Sequence, residues 1–307
     1  MSSDPLEHPP RDTAVLPLFL QHFGLDVTAG FARNASLRDF PAKCGEVSAK
    51  DSKKAPVQIL TDVCRAFSAI PYENLTKIIK YHEEGSAERA RRWPREVLRE
   101  HLSLGAGGTC FSLTATLLHL VRALGFEAEP LLADRSYGPN THCALRVILD
   151  GKPHLVDPGF LVVRPIPLEA KGETRVETAF NELVLAPDGD GRRLDLHTVQ
   201  KGIRKYRLTF KTAPADKGEF LSAWDASFEW DMMQYPLLTR VARGHQIYLQ
   251  ERRLQTRDKK SVCRSEVGLD DLPKLVEERF GVSAAVAFKA TQILERRGAL
   301  GRPPVTP

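Results

Sequence analysis

The apolar positions of this chain change their spacing twice. Over 16–80 they recur at helical intervals, and Val63, Cys64, Phe67 and Ile70 fall on one side of a helix. A charged stretch at 81–92 carries no such stripe and reads as an exposed excursion. Trp93-Pro94 then opens another short helix, with Pro94 suited to its first turn and Val97, Leu98 and Leu102 turned inward. From Glu127 onward the pattern becomes short apolar runs between turn residues, so that 131–132, 144–149, 154–156, 183–185 and 206–210 read as strands. The C-terminal part mixes one strand, 245–250, with helices at 272–280 and 284–296, the first of them ended by Gly281. A helical start, a mainly β middle and a mixed end fit an α+β fold better than an alternating parallel sheet.

Composition narrows the class of protein. The 307 residues are 42% apolar and 27% charged, which excludes general disorder and leaves room for about two domains or one core with additions. No apolar run approaches the ~20 residues that a bilayer crossing needs. The polar stretch 1–11, with Pro5, Pro9 and Pro10, reads as a loose tail rather than a signal peptide, so a cytoplasmic location is expected. The net charge of +5 mildly favours anionic partners. Basic residues collect at Arg89, Arg91, Arg92 and Arg95, at Lys201, Arg204, Lys205 and Arg207, and again over 252–260. These patches read as solvated faces. No nucleic-acid motif accompanies them, and neither nucleic acid nor membrane is expected as a partner.

The five cysteines, Cys44, Cys64, Cys110, Cys143 and Cys263, are scattered singly, which argues against a disulfide framework and a zinc cluster. Four of them read as small, buried and inert. Cys110 differs. It follows Gly105-Ala106-Gly107-Gly108-Thr109 and precedes a segment, 111–124, that is apolar on nearly every side and therefore a buried helix. A thiol in the first turn of such a helix meets unpaired N–H groups and the positive dipole end, which favour a thiolate and can hold an oxyanion. By itself, Cys110 reads better as a small core residue beside a glycine turn.

The downstream hairpin changes that balance. Asp150-Gly151 is a two-residue hairpin signal, and pairing Leu149 with Lys152 places Asp157 opposite Ala144, two residues from His142. Alternation then puts His142 and Asp157 on one face as diagonal neighbours, while Cys143 faces the other way. A register shifted by one would part them. A nucleophile at a helix start and a His–Asp pair on a hairpin are the parts of a Cys-His-Asp triad, with Cys110 as nucleophile, His142 as base and Asp157 as orienter. His119 lies nine residues beyond Cys110 on the same helix, too far along to serve as base. His154 has the opposite parity to Asp157 and points away. Without a His-x-x-x-His or Glu-x-x-His pairing, no metal is expected.

At these residues the chain resembles the arylamine N-acetyltransferase family, within the wider transglutaminase-like group of Cys-His-Asp enzymes. Ile70-Pro71-Tyr72-Glu73-Asn74-Leu75 resembles the family's Ile-Pro-Phe-Glu-Asn-Leu segment, and Gly107-Gly108-Thr109-Cys110-Phe111 resembles its nucleophile loop. Thr141-His142 and Asp157-x-Gly159-Phe160 are similar to its His and Asp segments, and 269–281 to its closing helix. The resemblance implies an N-terminal helical bundle over 1–100 with a loose tail at 1–12. It also implies an antiparallel β-barrel-like catalytic region over 101–212 and an α/β lid over 213–307, with a tail at 302–307. It implies that Cys110 takes an acyl group from acyl-CoA, usually acetyl-CoA, and passes it to an amine such as an arylamine or hydrazine. Tyr72 would line the acceptor pocket, the segment with Gly138 and Thr141 would lie near the coenzyme, and Phe160 would be a further substrate- or coenzyme-binding residue.

The chain also departs from the family pattern. Ala106 stands where the family usually has Arg, Ser112 and Thr114 stand where it has Glu or Gln and Asn, and Pro158 and Leu161 flank the Gly-Phe pair where it has Val and Gly. These changes keep two further readings open. One is an amide synthase or thiol amidase with another acyl donor, and the other is an inactive relative that only binds. Iodoacetamide reactivity of Cys110 separates the last from the others.

Overall fold

The structure is a computed structural model, which describes residues 12–25 and 55–299 apart from 163 and 170. Cys44 and the expected tails at 1–11 and 302–307 lie outside the described residues.

The N-terminal part is helical. Helices α1 (Val15–Phe23), α2 (Pro56–Phe67), α3 (Leu75–Glu84), α4 (Ala87–Ala90) and α5 (Pro94–Leu104) surround α6 (Cys110–Ala123). Pro56 and Pro94 open α2 and α5 in the first turn, where a missing N–H costs nothing. Helix α6 is buried on every side from Cys110 to Val121, so it forms the axis on which Val63, Phe67, Val97 and Leu98 pack. The helical reading of 16–80 is interrupted by a short strand, β1 (Tyr72–Glu73), and its part over 26–54 lies outside the described residues.

The middle of the chain builds one eight-stranded antiparallel sheet that is nearly closed into a barrel, in the order β5-β4-β3-β2-β9-β8-β7-β6. Its strands are β2 (Ala128–Arg135), β3 (Gly138–Leu149), β4 (Lys152–Val156), β5 (Ile166–Pro167), β6 (Thr174–Glu177), β7 (Glu182–Pro187), β8 (Arg193–Gln200) and β9 (Ile203–Lys211). Alternate residues such as Leu131, Ala133, Leu155, Leu185, Leu196 and Phe210 fill its interior. The expected register holds: Leu149 pairs with Lys152 and Leu145 with Val156.

Helix α7 (Lys217–Ala226) leads out of the barrel, its start closed by a capping box between Asp216 and Glu219. A five-stranded sheet follows, in the order β1-β10-β11-β12-β13, with β10 (Leu237–Ala242), β11 (His245–Gln250), β12 (Arg253–Arg257) and β13 (Val262–Glu266). Helices α8 (Leu272–Phe280) and α9 (Ala284–Arg296) cover one face through Leu238, Leu249, Leu254, Val276 and Ala287. Gly281 ends α8 in the left-handed conformation, as expected. The architecture is the α+β layout of helices, barrel-like sheet and α/β lid. No helix of the described residues is long and apolar enough to cross a membrane.

Four local expectations are corrected. The stretch 81–92 is not an exposed excursion: α3 runs through Glu84, α4 follows, and Ala90 and Arg92 are buried. Arg92 therefore does not belong to a solvated face. Leu102 turns outward, 40% exposed, because α5 ends two residues later on the surface. Cys263 is exposed, since it lies on the edge strand β13. Strands β5, β6, β8, β10, β12 and β13 add to those expected; several are short or rich in charged residues, and their pairing shows only in the sheet.

Candidate active site

The loop before α6 is shaped by close backbone contacts. A Cβ on Gly107 would stand 1.7 Å from the Pro71 carbonyl oxygen, so only glycine fits. Gly108 N donates to Pro71 O at 3.3 Å, and Glu73 N donates to Gly108 O at 3.0 Å, which docks the loop on β1. The side chain of Glu73, wholly buried, accepts from Gly107 N at 3.2 Å and from Thr76 N at 3.0 Å. Its charge is matched by Arg92, whose Nη1 lies 3.6 Å from Glu73 Oε1 and donates to Gly107 O at 2.6 Å. Arg92 also pairs with Glu100. A buried cation thus sits under the loop before Cys110 although Ala106 lacks one. It comes from a different turn of the chain.

Asn74 fixes the same segment to the lid. Its amide donates to Tyr235 O at 2.8 Å and to Met232 O, and its Oδ1 accepts from Leu237 N at 2.8 Å. Nearby, Lys77 is buried and donates to Ser227 O at 2.7 Å and Oγ at 2.6 Å; burial lowers its pKa to about 7.

Thr109 is extended and α6 begins at Cys110, so the Cys110 thiol lies in the first turn, 3% exposed. His142 Nε2 is 2.7 Å from Asp157 Oδ2, both side chains being essentially inaccessible to solvent. Asp157 Oδ1 accepts from Phe160 N at 2.8 Å, which holds the carboxylate from its other side. Cys110 lies beside the His142 ring, and the two groups shift each other's ionisation through hydrogen bonding. The three residues that the sequence brings forward therefore meet in one cluster. Gly159 crosses directly over it: a Cβ there would stand 2.9 Å from His142 Cε1 and 3.0 Å from Cys110 Cβ.

The electrostatics follow from these contacts. For Cys110, the hydrogen bond with Cys143 lowers the pKa most and burial opposes it. The hydrogen bond and charge of His142 and the charge of Arg135 then carry the thiol well below its ordinary value. Burial pulls His142 down, but the charge and hydrogen bond of Asp157 and the bond to Cys110 outweigh it, and its pKa is pushed up to about 9. Burial raises the Cys143 thiol well above the ordinary range, so it stays protonated and can donate to a Cys110 thiolate. A thiolate–imidazolium pair is the resting state that these shifts favour.

The other expected residues are distributed around this cluster. Tyr72 lies close enough for its charge to couple to Cys110, and its hydroxyl is 3.9 Å from Met232 Sδ. The Phe160 ring packs edge-on to His142 with centroids 6.4 Å apart. Gly138 and Thr141 form the turn end of the β2–β3 hairpin, where Thr141 Oγ1 donates to Gly138 O at 3.0 Å and accepts from Arg135 N at 3.1 Å. His119 is remote, its Nε2 3.0 Å from Asp12 O, and His154 faces outward, as expected.

Sequence reasoning missed Arg92, Arg135 and the Cys143 thiol. Glu73 held a signal for Arg92, because a buried acid beside a loop that has lost its arginine needs another cation. Parity alone held the signal for Arg135. Cys143 faces away from Asp157 as expected, yet the start of α6 packs against that side of β3 and brings Cys110 to it. Among the described residues, no group of His, Cys, Asp or Glu is arranged to hold a metal ion.

A comparison with protein families places the chain in one class. Residues 57–288 match the family model described as N-acetyltransferase, so the chain belongs to the N-acetyltransferase family, a family of acyl-transfer enzymes. A comparison with curated proteins finds no match.

Solved structures narrow the fold to the arylamine N-acetyltransferases. The Nocardia farcinica enzyme superposes with a TM-score of 0.73 at 19% identity, over 96% of this chain and 100% of that one. The Mycobacterium abscessus enzyme gives 0.71 at 18%, over 91% and 94%. The Mycobacterium marinum enzyme, solved in complex with CoA, gives 0.63 at 18%, over 78% and 93%.

Proposed function

We propose that this protein transfers an acyl group, with acetyl-CoA as donor, to an amine such as an arylamine or hydrazine, in two half-reactions through Cys110. The observation that carries the reading is the buried His142–Asp157 pair at 2.7 Å, set beside a thiol in the first turn of α6.

In the first half-reaction the Cys110 thiolate attacks the thioester carbonyl. The tetrahedral oxyanion is met by unpaired backbone N–H groups of the first turn of α6. As it collapses, the C–S bond to CoA breaks and the leaving thiolate takes the proton of the His142 imidazolium. In the second, the amine attacks the Cys110 thioester, His142 accepts a proton from the nitrogen, and the amide leaves as the Cys110 thiolate and His142 imidazolium re-form. Asp157 holds the tautomer and balances the imidazolium charge throughout. Tyr72 and Phe160 flank the reacting sulfur as walls of the acceptor pocket, and the Gly138–Thr141 turn borders the donor. The CoA complex of the Mycobacterium marinum enzyme, which shares the fold, supports this choice of donor.

Intact-protein mass spectrometry after mixing with acetyl-CoA tests the reading. One acetyl group is expected on the unaltered protein and none on Cys110→Ala, and an added amine should discharge the label. An adduct that persists in Cys110→Ala refutes the mechanism. An unlabelled protein whose Cys110 is still rapidly alkylated moves the donor to another thioester or an amide.

A further inference from the structure

The cluster around Cys110 includes a cation, Arg135, that forms no ion pair with a carboxylate among the described residues. Arg135 ends strand β2 opposite Gly138. It has the parity of Ala133, which pairs with His142, so alternation turns Arg135 toward the histidine. Between these two pairs β3 carries extra residues, including Asn140 at a φ of 54°, and this bulge spreads the hairpin end. Arg135 Nη2 lies 3.4 Å from His142 Nδ1. Its Nε is buried and has no hydrogen-bond partner. Among the described residues no acidic side chain forms an ion pair with it. Both oxygens of Asp157 are engaged elsewhere, by His142 and by Phe160 N. The groups around the guanidinium are Tyr72, Tyr137, Cys110, Asp157 and Tyr248, with Arg207 adding a second positive charge. Tyr137 is 70% exposed, so this end of the hairpin opens to solvent.

A half-buried guanidinium whose buried Nε has no partner carries a cost, and a planar carboxylate matches its Nε and Nη donors at two points. We propose that Arg135 is an anion-binding residue of the site and holds a carboxylate carried by the acyl group or by the acceptor, close to the reacting carbonyl. The substrate half of this assignment rests on the acyl-transfer reading; the anion site itself does not.

The test compares two reagents of similar size and different charge. Cys110 is alkylated with iodoacetate and with iodoacetamide, and its labelling is followed by peptide mass spectrometry. The ratio of the two rates on one protein cancels the thiolate fraction. Arg135→Gln should lower the iodoacetate-to-iodoacetamide ratio about tenfold, and Arg135→Lys, which keeps the charge, should lower it less. An unchanged ratio in Arg135→Gln overturns the proposal. A second measurement needs no variant: benzoate should slow alkylation of the unaltered protein by iodoacetamide and benzamide should not, and equal effects overturn the proposal.

Two further arms identify the source of the carboxylate. With the charge on the acyl group, Arg135→Gln slows acylation by succinyl-CoA about tenfold more than by butyryl-CoA. With the charge on the acceptor, it slows acetyl transfer to 4-aminobenzoate more than to 4-aminobenzamide. Equal losses within both pairs overturn the substrate assignment. A protein that acyl-CoA does not label refutes the acyl-transfer reading instead, and the alkylation ratio still decides on Arg135.

Discussion

The hairpin that carries His142 and Asp157 and the loop that carries Cys110 reach the same site by opposite means. The hairpin is local: a two-residue turn with Asp150 at φ 49° and Gly151 at φ 73° sets five consecutive pairs, and everything that aligns the histidine with the carboxylate lies within 15 residues. The loop is assembled from distant parts. Gly107 is bound by Glu73, 34 residues earlier, and by Arg92, 15 residues earlier, and Gly108 lies against Pro71. A turn-coded arrangement survives small losses, because each pair repeats the same register. A loop that hangs on one buried ion pair does not, because the surviving charge has no substitute partner.

The largest expected effect therefore falls under the loop. Arg92→Met leaves the Glu73 carboxylate and the Gly107 carbonyl buried without their cation, and should cost about 3–5 kcal/mol of stability in denaturant unfolding. Adding Glu73→Gln to it should restore part of that loss, as coupled partners do. In the hairpin, Gly151→Ala meets nothing within 4 Å and suffers only the positive φ, so about 1 kcal/mol is expected. If Arg92→Met costs no more than Gly151→Ala, the contrast between the two regions is wrong.

The same contrast explains what the sequence made legible. Helices 272–280 and 284–296 and the β3–β4 register were readable because their signals, an apolar stripe with a glycine stop and an Asp-Gly turn, lie within a few residues. The His142–Asp157 pair followed from that register and the alternation of side chains. Arg92 and Leu102 were misplaced for the converse reason. Whether a residue at a helix edge faces core or solvent depends on what packs there, and the Glu73 that draws Arg92 inward is far away in sequence. Cys143 was judged by its own strand, while its contact with Cys110 is set by how α6 lies against β3. The edge strands of the lid, rich in Arg, Thr and Ser, show a register only once their partners are known.

The central claim is that the hairpin's His–Asp pair, together with the Cys143 thiol, keeps Cys110 as a thiolate, and the pH dependence of its alkylation tests it most directly. In the unaltered protein the rate should hold to a pH well below the ordinary thiol range near about 8.5, because His142 stays an imidazolium up to about 9. Asp157→Asn removes the charge that raises His142, so the imidazolium loses its proton at lower pH and the inflection for Cys110 should move upward. An inflection near about 8.5 in the unaltered protein, or one that Asp157→Asn leaves in place, contradicts the account.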